Sequence, residues 1–373
     1  MKRVVSAPLV RLDLVDPSFS ASVINWQKEY GRHALPWQNT RDAYRVWLSE
    51  IMLQQTQVAA VIPYYQRFLQ RFPDVFSLAS APQEDVMAHW SGLGYYTRAR
   101  NLHKCAQMVV AQYAGQFPQD PMLLAELPGI GRSTAAAIAA FSYGVRAAIL
   151  DGNVKRVFAR VFGVDAYPGE KKVEEALWLR AQALLPEQGI EAYTQGLMDL
   201  GASLCSRSKP SCERCPLNTR CVALQQGRVE QLPVRKPKRA TPEKHVHLLL
   251  LLAQNKVLLE TRPSLGIWGG LMSLPEWAGH TENAQSLQPQ QIVNAVEQRF
   301  ASPTAVRECQ PLAPFSHTFT HFKLHIQPWR LKLAERPLQL AQGEQVWLTQ
   351  AELAQAGLPA PVKKMLLALP SFD

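Results

Sequence analysis

Cys205, Cys212, Cys215 and Cys221 stand within 17 residues, separated by six, two and five intervening positions. Four thiols on one short segment read as an all-thiolate metal site, holding either zinc or an iron–sulfur cluster. The six-residue first gap is longer than common zinc-ribbon spacing and favours a 4Fe–4S cluster. Arg207, Lys209, Arg214 and Arg220 surround these cysteines, so the same loop also presents positive charge. Cys105 and Cys309 fall outside the pattern and read as ordinary buried thiols.

With 373 residues, the chain is long enough for two or three domains with their own cores. Its formal net charge of +10 suits a polyanionic partner, although charge alone selects weakly among soluble proteins. No apolar run approaches the roughly 18 residues that span a membrane. Arg11 and Asp13 interrupt the stretch that a signal peptide would need after Met1-Lys2-Arg3. The expected compartment is therefore the cytoplasm, with association to the nucleoid if the source is bacterial.

A second feature is Leu127-Pro128-Gly129-Ile130-Gly131-Arg132-Ser133, where proline and glycines punctuate two helical segments. Glycines at such a corner admit another molecule close to the backbone. The amides opening the next helix, at Arg132 to Ala135, would then face outward as a phosphate site. Downstream, Val154, Val157, Phe158, Val161 and Phe162 form a helical apolar stripe, and Asn153 just before it reads as the N-cap. On that reading Asp151 is free of capping duty. Spacing alone leaves open a plain helix–helix turn with a solvated acid.

Upstream, one long helix is expected from about Tyr44 to Ile62, with Glu50, Gln54 and Gln57 on one face. A partly buried carboxyl there would have a raised pKa and stay protonated near neutrality. Glutamines beside it suit reading a base edge; equally, the face could bond a neighbouring helix. Trp90 to Arg100 combines Gly92, Gly94, Tyr95, Tyr96, Arg98 and Arg100, a set able to approach, wedge into and neutralise nucleic acid. One of the two tyrosines is expected in the core.

Residues 227–244, rich in Lys, Arg and Pro, read as an extended basic linker. Beyond it the texture changes. His247 to Ala253 and Val257 to Glu260 flank a Gln-Asn turn as a hairpin, and a helix is expected near Gln291 to Arg299. Strands follow around Phe315 to Ile326 and at Gln345 to Leu348, before a capping box of Thr349 and Glu352.

Together, Trp47-Leu48-Ser49-Glu50, Met52-Leu53-Gln54-Gln55-Thr56-Gln57, Gly92-Leu93-Gly94-Tyr95-Tyr96, Leu127 to Gly131, Leu150-Asp151-Gly152-Asn153-Val154 and the four cysteines resemble the helix–hairpin–helix DNA glycosylases, MutY-type adenine DNA glycosylases in particular. The resemblance covers nearly the whole chain. It implies a mainly α fold, with a six-helix barrel lobe and an iron–sulfur lobe, and a C-terminal α/β Nudix-like domain. The implied layout is a helical catalytic domain over 17–226 (hairpin near 124–143, cluster loop 205–221), the linker 227–244, and an 8-oxoguanine-recognition domain over 245–373.

The implied activity is removal of adenine mispaired with 8-oxoguanine or guanine in double-stranded DNA, by a monomer, with the base rotated into a pocket. On that resemblance Glu50 is the general acid at adenine N7, and Asp151 the carboxylate facing the sugar. Asn153 supports Asp151 and the water. Leu35 and Trp37 line the base pocket; Gln54 and Gln55 are the strand-invading and lesion-contacting glutamines, Tyr95 is the intercalating wedge and Thr56 a further DNA contact; Gly129 and Gly131 hold the backbone; Phe319, Thr320 and His321 form the recognition loop. Ser133 stands where related lyases carry a Schiff-base lysine, and a hydroxyl forms no imine, so a monofunctional enzyme is expected. The C-terminal module lacks the acidic cluster that holds Mg²⁺ in Nudix hydrolases. Repair-protein contacts are expected at the linker. Two rivals stay in view, a bifunctional glycosylase/lyase for oxidised pyrimidines and a non-catalytic cluster-bearing DNA-binding protein.

Overall fold

The computed structural model describes residues 14–236, 240–263, 266–277, 287–300, 306–336 and 345–372. The readings on Arg11 and Asp13, and on Pro237, Lys238 and Arg239 of the linker, lie outside the described residues. The chain divides into two units, Met1–Ser80 with Asn101–Lys238, and Ala81–Arg100 with Arg239–Asp373. The sequence reading assigns 17–226 wholly to the helical domain, so the grouping of Ala81–Arg100 with the C-terminal residues differs from it. Hydrogen bonds from Ser91 Oγ to the Leu358 carbonyl (2.8 Å) and from Arg100 to the Gly269 carbonyl tie the segment there.

The helices are α1 (Pro17–Tyr30), α2 (Ala43–Leu53), α3 (Val58–Arg71), α4 (Val75–Ser80), α5 (Gln83–Trp90), α6 (Thr97–Tyr113), α7 (Pro121–Glu126), α8 (Arg132–Tyr143), α9 (Gly152–Val161), α10 (Lys171–Ala183), α11 (Ile190–Asp199) and α12 (Val222–Gln225). Asp16 caps α1 by accepting from the Phe19 amide at 3.1 Å, with Pro17 preset for the first turn. One core gathers Phe19 and Val23 of α1, Ala136, Ala137 and Ala140 of α8, Val154, Val157 and Phe158 of α9, and Tyr193 and Leu197 of α11. The alanines of α8 matter because a small side chain lets backbones approach. The Phe19 and Phe158 rings meet edge-on at 5.9 Å.

Two expectations fail in this unit. The single helix over 44–62 is two: α2 stops at Leu53, Gln55 adopts φ +58°, and α3 starts at Val58. Glu50 and Gln54 therefore do not share a continuous helical face with Gln57, which stands just before α3 without a side-chain capping bond. The basic segment after 227 is also not free at its start. Arg160 donates to the carbonyls of Val229 (3.1 Å) and Leu232 (2.8 Å), and Leu232 is buried.

The second unit holds a seven-stranded sheet of β1 (Glu243–Ala253), β2 (Lys256–Thr261), β3 (Met272–Ser273), β4 (Val306–Pro311), β5 (Phe315–Thr318), β6 (Lys323–Leu333) and β7 (Gln345–Leu348). Its order is β3-β2-β1-β6-β4, with β5 on β6 and β7 on β2. Gln254 and Asn255 both take positive φ, +50° and +59°, making the tight turn expected between β1 and β2. β1 runs parallel to β6, and Leu248 to Ala253 are all buried, as fits a strand covered on both faces. Helix α13 (Pro289–Phe300) packs Ile292, Val296 and Phe300 onto this sheet. The expected capping box of Thr349 and Glu352 opens α14 (Gln350–Leu353), and α15 (Ala360–Leu367) follows.

Candidate active site

The corner between α7 and α8 is built as its residues predict. Leu127 and Ile130 are buried, and the Ile130 amide donates to the Leu127 carbonyl at 3.1 Å. Gly129 sits at φ +79°, where an added Cβ would meet Asn101 Cβ at 3.0 Å. Gly131 has ordinary φ; nothing lies within 4 Å of where its Cβ would be, and no side chain caps α8 there. The Ala135 amide already bonds the Gly131 carbonyl at 2.8 Å. The outward amides are thus those of Arg132, Ser133 and Thr134, one fewer than expected.

Glu50 lies in the last turn of α2, a helix otherwise anchored by buried Trp47, Leu48, Ile51 and Met52. It lines a cavity of about 610 Å³ together with Leu35, Trp37, Gln38 and Ser49. That volume falls in the range of small-molecule sites. Trp37 is 7% exposed and packs edge-on against Tyr65 at 5.4 Å, so it is both core plug and cavity wall. The wall is held in place by polar bonds. Gln38 accepts from the Leu35 amide (2.9 Å) and donates to the Arg32 carbonyl (2.8 Å), while Arg32 Nε donates to buried Asp199 at 2.7 Å. Burial, and then repulsion from Asp151, pushes the Glu50 carboxyl up to about 8.

Asp151 is the N-cap of α9, and the expectation that Asn153 caps this helix is wrong. Asp151 Oδ1 accepts from the Val154 amide at 2.8 Å, and Asn153, inside the first turn, donates to Oδ2 at 3.4 Å. Burial raises the Asp151 carboxyl too, against the amides of Val154 and Asn153, the Arg156 charge and the Asn153 side chain, which all lower it. Ser133 Oγ accepts from the Leu150 amide at 2.9 Å, fixing the residue before Asp151 to the start of α8.

Sequence reasoning passes over Arg156. Its guanidinium donates to Asn153 Oδ1 (2.8 Å) and to the carbonyls of Gly201 (2.6 Å) and Cys205 (2.8 Å). It thereby ties the Asp151 turn to the cysteine loop. The available signal was the i, i+3 relation of two polar residues, Asn153 and Arg156, at the start of an otherwise apolar-striped helix. Gly201 is packed so closely that a Cβ would meet Asn153 Cβ at 2.4 Å.

All four cysteines of the motif are free thiols lining one cavity with Val157, Leu200 and Leu204. Burial pushes the Cys215 thiol up to about 11, and the charges of Cys205, Cys221 and Cys212 add to the rise. The sulfurs thus stand near enough to repel when ionised, and Arg160 Nη1 reaches Cys205 Sγ at 3.3 Å. Cys105 is buried as expected; Cys309 is partly exposed.

Of the remaining residues, Gln54 Nε2 lies 3.4 Å from Thr134 Oγ1 and 3.5 Å from the Gly129 carbonyl, bringing it to the hairpin. Gln55 is exposed, and Thr56 Oγ1 donates to the Gln54 carbonyl at 3.3 Å. In the second unit, Tyr95 is 46% exposed while Tyr96 is half-buried, and the Tyr95 hydroxyl stands 3.3 Å from Thr320 Oγ1. Thr320 and His321 are exposed on the turn between β5 and β6, closed by the Phe319 amide on the Phe322 carbonyl at 2.9 Å. Phe319 stacks on Phe322 at 4.6 Å.

A helix–hairpin–helix corner and a half-buried acid lining a cavity of about 610 Å³ point to one class, and comparison with known proteins agrees. Residues 48–182 match the HhH-GPD superfamily base excision DNA repair protein family, and residues 246–368 match the NUDIX domain. A thermostable thymine-DNA glycosylase structure aligns with TM-score 0.52 and 29% identity, covering 56% of this chain and 96% of that one. The chain is 36% identical to the adenine DNA glycosylase of Buchnera aphidicola subsp. Acyrthosiphon pisum, over 93% of this chain and 96% of that protein. With the human adenine DNA glycosylase it shares 33%, over 93% of this chain and 73% of the relative. The chain belongs to the adenine DNA glycosylase family, hydrolases of N-glycosyl bonds that serve base excision repair.

Proposed function

We propose that this enzyme hydrolyses the N-glycosidic bond of adenine paired with 8-oxoguanine or guanine in duplex DNA, using Glu50 as acid and Asp151 as the carboxylate facing the sugar. The observation that carries the reading is Glu50 lining a cavity with Leu35 and Trp37, near an Asp151 held by the Val154 amide, with burial raising the Glu50 carboxyl. The adenine is rotated out of the stack into the cavity. Protonated Glu50 delivers its proton to N7, so that when the bond from sugar C1′ to N9 breaks, its electron pair leaves on a neutral base. Asp151 offsets the positive charge developing on the sugar, and Asn153, fixed by Arg156, keeps that carboxylate oriented. Water then bonds to C1′ and gives its proton to the Asp151 carboxylate, leaving an abasic site. Ser133 offers no amine, so the strand stays intact.

The DNA backbone is held by the amides of Arg132, Ser133 and Thr134 beside Gly129 and Gly131, and by the positive cysteine loop. Gln54, Gln55, Thr56 and exposed Tyr95 contact the strand opposite, with Phe319, Thr320 and His321 reading 8-oxoguanine. Cys205, Cys212, Cys215 and Cys221 fit a 4Fe–4S cluster: four free thiols face one apolar cavity, where their ionised forms repel unless a cation joins them. Bound there, the cluster cross-links the loop that Arg156 connects to Asn153. The protein acts as a monomer in the compartment that holds the DNA, the cytoplasm, with repair partners engaging the segment after 227.

The test is single-turnover cleavage of a duplex carrying one adenine opposite 8-oxoguanine, with and without alkali. Breaks only after alkali support a monofunctional adenine glycosylase. Breaks without alkali would make it a lyase, and a tightly bound but uncut duplex would favour a binding protein.

A further inference from the structure

In the second unit a group of metal-ligating side chains plays no part in base release. Glu243 and His245 are two apart on β1 and so project from one face of the sheet. In the parallel β1–β6 register His245 stands opposite His325. The two imidazoles lie almost parallel, 4.7 Å between centroids and 14° between planes. His325 Nε2 is 2.9 Å from Glu243 Oε2, and His325 Nδ1 is 3.0 Å from the hydroxyl of Ser316, its partner across β5–β6. One ligand atom from each of Glu243, His245 and His325 lies within 4.8 Å of the other two.

We propose that Glu243, His245 and His325 form a Zn²⁺ site with a fourth position left to water. Two imidazoles and a carboxylate are the donor set of an open zinc site. Ser316 supplies the outer hydrogen bond such a site needs: by accepting Nδ1–H of His325 it leaves the Nε2 lone pair toward Glu243 and the ion. An imidazolium–carboxylate pair accounts for Glu243 and His325 alone. It gives no role to a second imidazole laid parallel to the first, where two cations repel and two neutral rings can share an ion. Lys323, opposite Glu243 in the same register, and Lys244, between Glu243 and His245 on β1, are the opposing charges in this part of the ladder. An ion here joins the first residues of β1 to those of β6, which emerges from the turn bearing Thr320 and His321 and is already held by the Lys323 amide on the Pro242 carbonyl at 2.9 Å.

The experiment titrates Zn²⁺ calorimetrically into the full chain with its cysteine site iron-loaded, followed by zinc-edge X-ray absorption. We expect one saturable ion with nitrogen and oxygen neighbours at about 2.0–2.1 Å and no sulfur shell near 2.3 Å. His245→Ala and His325→Ala should each weaken binding at least tenfold, and Glu243→Gln, which preserves shape, several-fold. Unfolding curves in chelator report that the variants fold. A sulfur shell would assign the zinc to the cysteines. That result, an unchanged affinity in either histidine variant, or no saturable binding would each overturn the proposal.

Discussion

Glu50 and Asp151 are the same functional group placed at opposite ends of two helices. Glu50 stands in the last turn of α2, where the partial negative charge of the helix terminus disfavours a second negative charge; Asp151 opens α9, where amides point at it. Burial raises both carboxyls. Only Asp151 has hydrogen bonds and a nearby guanidinium working against that rise. The difference teaches that burial alone does not set a buried carboxyl: at the start of a helix backbone amides offset it, and at the end of one they do not.

The sharpest way to break this comparison is Glu50→Gln, which retains size and removes the proton. Single-turnover adenine release should fall about 10³-fold, within the span of general acid catalysis, with duplex affinity unchanged. An equal loss of binding would remove Glu50 from the acid role. Next, Asp151→Asn keeps an acceptor for the Val154 amide but removes the charge. We expect release to fall on the order of 10²-fold while thermal stability holds, whereas Asp151→Ala should also lose about 1 kcal/mol of capping. Wild-type rates in Asp151→Asn would mean the charge is not used. Then Cys212→Ser, which strikes the loop that Arg156 joins to Asn153, should yield protein lacking the visible absorption of an iron–sulfur cluster and melting well below wild type. Full stability without iron would uncouple the loop from the fold. Smallest is Ser133→Ala, which deletes the bond to the Leu150 amide and should lower stability by about 1 kcal/mol in chemical denaturation.

Much of this was legible in the residues. The hairpin corner, the buried stripe of α9, the β1–β2 turn at Gln254 and Asn255, and the Thr349 capping box each follow from local chemistry. The break after Leu53 was not, because Val58 continues the apolar rhythm and Gln55 carries no sign of the left-handed backbone it adopts. The cap of α9 was misread because Asp151 and Asn153 are both good caps, two residues apart; only the bond to the Val154 amide decides. The reach of Arg156 to Gly201 and Cys205, the bond of Ser133 to the Leu150 amide, and the meeting of Glu243 and His245 with His325 depend on contacts between residues apart in the chain, which no local pattern encodes. In the acid itself, the sequence shows a carboxyl among apolar neighbours, but the second cause of its raised pKa, Asp151, lies about a hundred positions away.

The most direct measurement is the pH dependence of single-turnover adenine release between pH 6 and 10. In the proposed mechanism Glu50 acts in its protonated form, and burial and Asp151 raise its carboxyl to about 8. The rate should therefore hold level below that value and fall tenfold per pH unit above it. A rate that stays level, or rises, through pH 10 would contradict the assignment of Glu50 as the acid.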